Sequence, residues 1–342
     1  MTITSAAPTP DALCRLLAPR LKSELRESTG FSSIAPLAKA ASERSDFSVA
    51  DGVAKLLVRG ADHVPVAVVL VASPKAPGLV ARGMQRAREA KIILGPRLGQ
   101  VILAPLLEGR LEGLTFAALP YCRPLTTARI LWSLQRRRIR PVILDWLRDA
   151  TAATAQELTE EKIEKGFLSP LRRFGDDPEM PRPLRDAARE TLRRLELGRW
   201  SPRHVLMHND FWQGNLLIDD RNVTGRGGEP WPRRFVIIDW PGAAIEGYAM
   251  HDLLRFARAV ALKPNALRRE ILAHCGILQC TPADAASHLV AAFAHLADHL
   301  EHFPKPAFIR TAVACWESLR SVGPLEESDT IPSPREQART IA

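Results

Sequence analysis

The chain has few cysteines, few tyrosines and no long apolar run. Its 342 residues include five cysteines and two tyrosines. The cysteines are irregularly spaced and form no Cys-x-x-Cys pair, so neither a disulfide framework nor a zinc site is predicted. The longest apolar run, residues 66–72, is far too short to span a bilayer. The N-terminus has no basic region before a continuous apolar stretch. We therefore expect a cytoplasmic protein without a transmembrane segment.

The sequence also lacks a glycine-rich G-x-G-x-x-G motif. What it has in excess is positive charge, with a formal net charge of +9 and a pI near 9.7. Such a charge suits an anionic ligand such as a nucleotide. The arginines are scattered along the chain and form no single stripe, so we predict no nucleic-acid partner. The hydrophobic share of 46% is enough for one large domain or for two lobes.

The N-terminal third alternates between helical and strand patterns. Leucine and alanine spacing predicts a helix over residues 11–37, with Asp11 as its N-cap. Short apolar runs bounded by glycine, proline or polar turns then predict four strands around one helix. The strands are predicted at 53–58, 64–72, 101–106 and 114–119, and the helix at 79–94.

From residue 126 onward, helical patterns dominate. They cover 127–158, 183–197, 249–261, 265–275, 282–302 and 305–320. One strand pair, 216–219 and 235–239, interrupts them, joined by the glycine-, proline- and arginine-rich segment DRNVTGRGGEPWPRR, which predicts an exposed loop. We therefore predict a small β-rich N-terminal lobe (1–122), a larger helical lobe (123–320) and a mobile tail (321–342).

The most informative stretch is VLMHNDFWQGNLLID at 205–219, followed by VIIDW at 236–240. It holds Asp210, then Asn215 five residues later, then Asp239 at the end of the second strand. Because both strands flank a loop, these three side chains can converge at one end of a hairpin. Phosphoryl transfer needs metal ions on the phosphate oxygens and a carboxylate that orients the attacking hydroxyl. Asp239 and Asn215 offer hard oxygen ligands for Mg²⁺, and Asp210 can accept the hydroxyl proton.

The order H-x-D-x-x-x-x-N, then Asp, resembles the catalytic and metal-binding loops of protein-kinase-like enzymes. In detail it looks like the aminoglycoside phosphotransferase and choline kinase family, which often has Asp-Trp where this chain has Asp239-Trp240. The segment EGYAMHDLLRFA is similar to the family's G-x-P-x-x-D-L-A stretch. The resemblance implies an α+β, two-lobed protein-kinase-like fold, with Asp252 bracing the catalytic loop. His208 is expected to pack beneath that loop as a structural residue.

The nucleotide-binding residues are less marked in the sequence. Kinase-like enzymes hold the ATP phosphates with a lysine that pairs with a helix glutamate. Lys75 and Glu89, 14 residues apart, are our candidates, and Lys55 is the alternative to Lys75. Tyr121 and Cys122 fall where the family's interlobe hinge would be, and the resemblance implies that their backbone meets the adenine.

The predicted function is a small-molecule kinase that uses ATP and Mg²⁺ to phosphorylate a hydroxyl group. The acceptor can be a sugar, an amino alcohol, a glycan or an aminoglycoside-like molecule, and the sequence leaves open both its identity and the choice between ATP and GTP. Because the glycine loop is missing and the lysine is displaced, the alternative is a non-catalytic nucleotide-binding regulator of the same fold. A protein kinase is disfavoured, since no Asp-Phe-Gly or Ala-Pro-Glu motif is present.

Overall fold

The computed structural model describes residues 8–37, 53–126, 128–219, 235–301 and 303–325. Contacts divide the chain into two compact units, each built from two segments. The first unit takes its residues from Met1–Thr127 and Gly214–Ala243, and the second from Ala128–Gln213 and Ala244–Ala342. Helices and antiparallel strands both contribute, which confirms the predicted α+β class. The lobe boundaries at residues 122 and 320 stay predictions.

The first unit contains most of the strands. Its helices are α1 (Pro10–Thr29) and α2 (Leu79–Leu98), and its strands are β1 (Phe31–Pro36), β2 (Ala54–Gly60), β3 (Pro65–Val71), β4 (Leu107–Leu111), β5 (Leu114–Pro120), β6 (Arg123–Pro124), β8 (Leu216–Ile218) and β9 (Phe235–Ile237). Five of them form an antiparallel sheet in the order β1-β2-β3-β5-β4.

The five-stranded sheet is covered by helices on both faces. Successive strand residues point to opposite faces, and the two cores follow this alternation along β5. Phe116 and Ala118 face the leucines of α1, which recur at every fourth position. Ala117 and Leu119 face Val80 and Met84 of α2. The unit therefore buries both sides of its sheet.

Two tight turns fix the register of this sheet. Glu112 and Gly113 connect β4 to β5, and both have positive φ angles, 49° and 84°. Two consecutive residues with positive φ form the turn whose twist matches antiparallel strands. At the β2–β3 connection, the Gly60 amide donates to the Val64 carbonyl oxygen at 2.9 Å.

The second unit is mainly helical. Its helices are α3 (Arg129–Thr154), α4 (Glu160–Ile163), α5 (Ser169–Asp176), α6 (Arg182–Glu196), α7 (His251–Ala259), α8 (Pro264–Leu278), α9 (Asp284–Asp298) and α10 (Lys305–Arg320). An antiparallel pair of strands, β7 (His204–Met207) with β10 (Ala244–Tyr248), lies among them. Gly247 is required there, because a Cβ atom at this position would lie 2.4 Å from the Cβ atom of Met207.

Several predicted elements need correction. The predicted helix 11–37 ends at Thr29, where Gly30 has a φ of 61° and the chain turns into β1. The strand predicted at 101–106 is instead a 3-10 turn (Gly99–Val101) and an extended segment that precedes β4. Strands β7 and β10 and helices α4 and α5 were not predicted at all. The predicted exposed loop (220–234) and most of the predicted tail lie outside the described residues.

Candidate active site

In the second unit, the loop after β7 is held by a carboxylate from α7. Asp252 accepts a hydrogen bond from the backbone amide of His208 at 2.6 Å and another from that of Asn209 at 3.0 Å. Its side chain is only 13% exposed. Asp252 lies in the first turn of α7, where a negative charge is favourable to the helix. The carboxylate therefore fixes the backbone immediately before Asp210.

The side chain of Asp210 is itself held by two donors. The Arg255 Nη2 atom donates to its Oδ1 atom, and the Trp212 indole Nε1 donates to its Oδ2 atom at 3.1 Å. Asp210 remains 47% exposed, whereas Arg255 is 22% exposed. The carboxylate is thus oriented on both oxygens and still accessible to solvent.

Aromatic packing supports the same loop from below. Phe211 is buried and stacks on Trp146 of α3, with ring centroids 5.9 Å apart and planes at 4°. On another side it meets Phe256 of α7 at 5.7 Å. His208 is also buried, and its ring lies edge-on to Phe211 at 5.7 Å. The loop is therefore anchored by apolar burial as well as by hydrogen bonds.

In the first unit, Asn215 and Asp239 lie at the same end of the β8–β9 pair. Leu216 pairs with Ile237, and the next backbone bond runs from the Ile238 amide to the Asn215 carbonyl oxygen at 3.0 Å. Asp239 follows directly and is exposed, while Asn215 is buried. A carboxylate and an amide oxygen are the hard donors that Mg²⁺ prefers, so this donor pair fits the metal in kind.

Three non-glycine residues near these groups have left-handed backbone. The φ angles are 74° at Asn209, 70° at Asp239 and 69° at Met250, the residue that precedes α7. Such conformations cost on the order of 1 kcal/mol or more and persist only where surrounding contacts enforce them. Asparagine and aspartate tolerate them better than other residues do. Their positions next to Asp210, at Asp239 and at the start of α7 make these segments candidates for a functional site.

The predicted nucleotide-binding pair is not brought together in the described residues. Lys75 lies exposed in the turn between β3 and α2, and no ion pair links it to Glu89. The carboxylate of Glu89 is instead held within α2 by Gln85 at 2.9 Å and Arg86 at 3.0 Å. The hydrogen bond from Gln85, and then that from Arg86, hold the pKa of Glu89 below its ordinary value. Lys55 lies exposed on β2.

The predicted hinge follows β5 directly. The backbone amide of Tyr121 donates to the carbonyl oxygen of Val66 at 3.0 Å, so this donor is already engaged within the first unit. Cys122 is buried at 5% exposure. The next two residues pair with β8 as strand β6. Contact of either residue with an adenine ring stays a prediction.

Sequence reasoning missed two side chains that contact Asp210. Arg255 lies within the quoted segment EGYAMHDLLRFA, three residues after Asp252. This spacing places both side chains on one face of a helix, and that was the only available signal. Trp212 gave no signal, since a tryptophan two residues from an aspartate is ordinarily read as part of a core. It is in fact 41% exposed.

The described residues contain neither a metal-binding cluster of side chains nor a helix suited to cross a membrane. No group of three or more His, Cys, Asp or Glu side chains is arranged there to hold a metal ion. Within the same part of the chain, no helix combines the length and the apolar character needed to cross a bilayer.

No protein-family model and no curated protein matches the chain. Several solved structures of small-molecule kinases are similar to it. A choline kinase from Streptococcus pneumoniae is 11% identical with a TM-score of 0.47, over 89% of this chain and 99% of that one. An aminoglycoside 2′-phosphotransferase in complex with GDP is 14% identical with a TM-score of 0.46, over 88% of this chain and 98% of that one. A choline/ethanolamine kinase family protein from Mesorhizobium loti is 12% identical with a TM-score of 0.44, over 90% and 96% of the two chains.

Proposed function

We propose that this chain is a small-molecule kinase that uses Mg²⁺ and ATP to phosphorylate a hydroxyl group. The observation that carries the proposal is the placement of Asn215 and Asp239 at one end of β8–β9, preceded in the chain by the braced loop that presents Asp210. Metal-ligand types and an oriented carboxylate are the groups that phosphoryl transfer requires.

Each residue has a defined task in this proposal. Asp239 and Asn215 would hold Mg²⁺, which would supply positive charge against the phosphate when bound. Asp210 orients the acceptor hydroxyl and receives its proton through the carboxylate that Arg255 and Trp212 hold in place. Asp252 keeps the loop backbone fixed beneath it. The net charge of +9 favours a neutral or anionic acceptor, such as a sugar or glycan, over a polycationic one.

The test is Mg²⁺-dependent ATP turnover over a panel of sugars, amino alcohols, glycans and aminoglycosides. We expect Asp210→Asn to lower kcat by about 10²–10⁴-fold with little change in KM for ATP, because the lost group acts on the acceptor. Asp239→Asn should instead raise the Mg²⁺ concentration needed for half-maximal rate.

The matched control is Asp186→Asn, which removes an exposed carboxylate on α6 whose ionic partners among the described residues are neighbouring surface arginines. It should leave the rate unchanged. Full turnover in Asp210→Asn would contradict the assignment of the loop. Equal losses in all three variants would point to a nonspecific charge effect and would count against it as well.

A second function, nucleotide binding without catalysis, is favoured by the positions of Lys75 and Glu89 in the first unit. Lys75 is exposed, and Glu89 is occupied by Gln85 and Arg86, so these two residues do not form the lysine–glutamate pair expected of them. Calorimetric binding of Mg·ATP separates the two functions. Binding without turnover on any acceptor, unaffected by Asp210→Asn, would favour the regulator.

A further inference from the structure

Helix α7 contacts the Asp210 loop at two points, one turn of helix apart. Asp252, near its start, accepts the backbone amides of His208 and Asn209. Arg255, three residues later, donates to the side chain of Asp210. Residues at this spacing share one helix face. A single rigid element therefore sets both the backbone of the loop and the direction of its carboxylate.

The Arg255 contact restricts how the Asp210 carboxylate can rotate. One carboxylate oxygen accepts from Arg255 and the other from the Trp212 indole at 3.1 Å, so a turn about the side-chain bond breaks both hydrogen bonds. The guanidinium group is mostly buried at 22% exposure, and its Nε atom has no hydrogen-bond partner in the part of the chain that the structure describes. Arg255 is thus ion-paired with Asp210, and loss of the Asp210 carboxylate would leave the largely buried guanidinium less well compensated.

We propose that Arg255 is a positioning residue that fixes the orientation of the Asp210 carboxylate for the acceptor hydroxyl. This inference rests on the proposed kinase function. A carboxylate that orients a hydroxyl acts only within a narrow range of distance and angle, and a misplacement of about 1 Å costs about 10²-fold in rate. Arginine suits the task, because its planar group holds a carboxylate oxygen in a fixed direction while it stays charged at every relevant pH.

Arg258 provides a matched control on the same helix. It lies one turn beyond Arg255 and donates to the Ala314 carbonyl oxygen at 2.7 Å and to the Ser318 hydroxyl at 3.4 Å, both on α10. It therefore ties two helices together without contact to the loop. Substitution of Arg258 reports what the loss of an arginine from α7 does to the fold alone.

The first experiment compares Arg255→Met, Arg255→Lys and Arg258→Met in steady-state phosphorylation of the best acceptor. Arg255→Met should lower kcat by about 10- to 100-fold, with KM for ATP changed by less than about twofold. Arg255→Lys should retain more activity, since the ammonium keeps the charge but not the planar geometry. Arg258→Met should keep kcat and lower only Tm. A wild-type kcat in Arg255→Met would overturn the proposal. A higher kcat would overturn it too, because Arg255 would then be masking the carboxylate.

A second readout does not depend on activity. The indole N–H resonance of Trp212, assigned by loss of the signal in Trp212→Phe, reports the hydrogen bond to Asp210. We expect this resonance to shift in Arg255→Met and to stay in place in Arg258→Met. An unshifted resonance would refute the positioning role. If the parent protein transfers no phosphoryl group to any acceptor, the kinase function fails by itself, and the indole resonance still decides whether Arg255 orients Asp210.

Discussion

Replacing Asp252 with alanine removes one carboxylate and leaves two backbone amides without their acceptor. The amides belong to His208 and Asn209, at 2.6 and 3.0 Å from the two carboxylate oxygens. Because the side chain is 13% exposed, water only partly replaces the lost oxygens. The substitution also removes a negative charge from the first turn of α7, where it interacts favourably with the positive end of the helix dipole.

The expected cost follows from these contacts. A hydrogen bond to a charged group contributes about 1.5–3 kcal/mol, so two such bonds contribute about 3–6 kcal/mol. Partial hydration of the exposed side of the loop favours the lower end, about 3 kcal/mol. Domains are typically stable by about 5–15 kcal/mol, so Asp252→Ala should remain folded but be clearly weakened. Asp252→Asn keeps one acceptor oxygen but turns a donor toward the second amide. Its free energy of unfolding should therefore lie between those of Asp252→Ala and the parent.

Urea unfolding followed by tryptophan fluorescence measures this cost, and amide hydrogen exchange locates it. A loss of about 3 kcal/mol corresponds to roughly 10²-fold faster exchange if the loop opens locally. We expect the acceleration at His208 and Asn209 and not in the five-stranded sheet of the first unit. If Asp252→Ala unfolds within about 0.5 kcal/mol of the parent and these two amides exchange as before, the bracing role is refuted.

Two further predictions concern titratable groups in the second unit. Burial lowers the pKa of His274 to about 4 from an ordinary 6.5, so the neutral ring is favoured in the fold. Stability is therefore full above pH 6.5 and falls by roughly 3 kcal/mol as the pH drops toward 4, and His274→Gln should flatten this part of a pH–stability curve measured by urea unfolding. The thiol of Cys280 is partly exposed, and hydrogen bonds with Cys275 and then His288 hold its pKa below the ordinary value. Cys280 should therefore react first with iodoacetamide at neutral pH, as checked by peptide mass spectrometry, and prior labelling of the buried Cys275 would contradict this.

The local sequence pattern predicts an element correctly where the structure of that element depends mainly on its own residues. The runs VAKLLV and VPVAVVLVA match β2 and β3, because apolar, β-branched runs bounded by turn residues have few other stable arrangements. The pairing of β8 with β9 was also predictable, and it places Asn215 and Asp239 at one end of the pair.

Elements whose pairing partners are distant in the chain were missed. Strand β7 at His204–Met207 pairs with β10 at Ala244–Tyr248, and neither segment alternates clearly enough to indicate a strand by itself. Strand β1 begins after a glycine at the end of a leucine-rich helix, and only its pairing with β2 makes it a strand. The expected ion pair between Lys75 and Glu89 is not formed, because Glu89 has local partners one turn away on its own helix, and a nucleotide-binding role for the two residues stays a prediction.

The sequence by itself determined the α+β class, most of the long helices of the second unit and the identity of Asp210, Asn215 and Asp239 as candidate catalytic and metal-binding residues. Those inferences depend on residue type and on spacing within a few turns or strands. Only the tertiary structure decided that Arg255 and Trp212 hold the Asp210 carboxylate. Arg255 lies 45 residues from Asp210 in the chain, and only the packing of α7 against the loop brings their charges into contact.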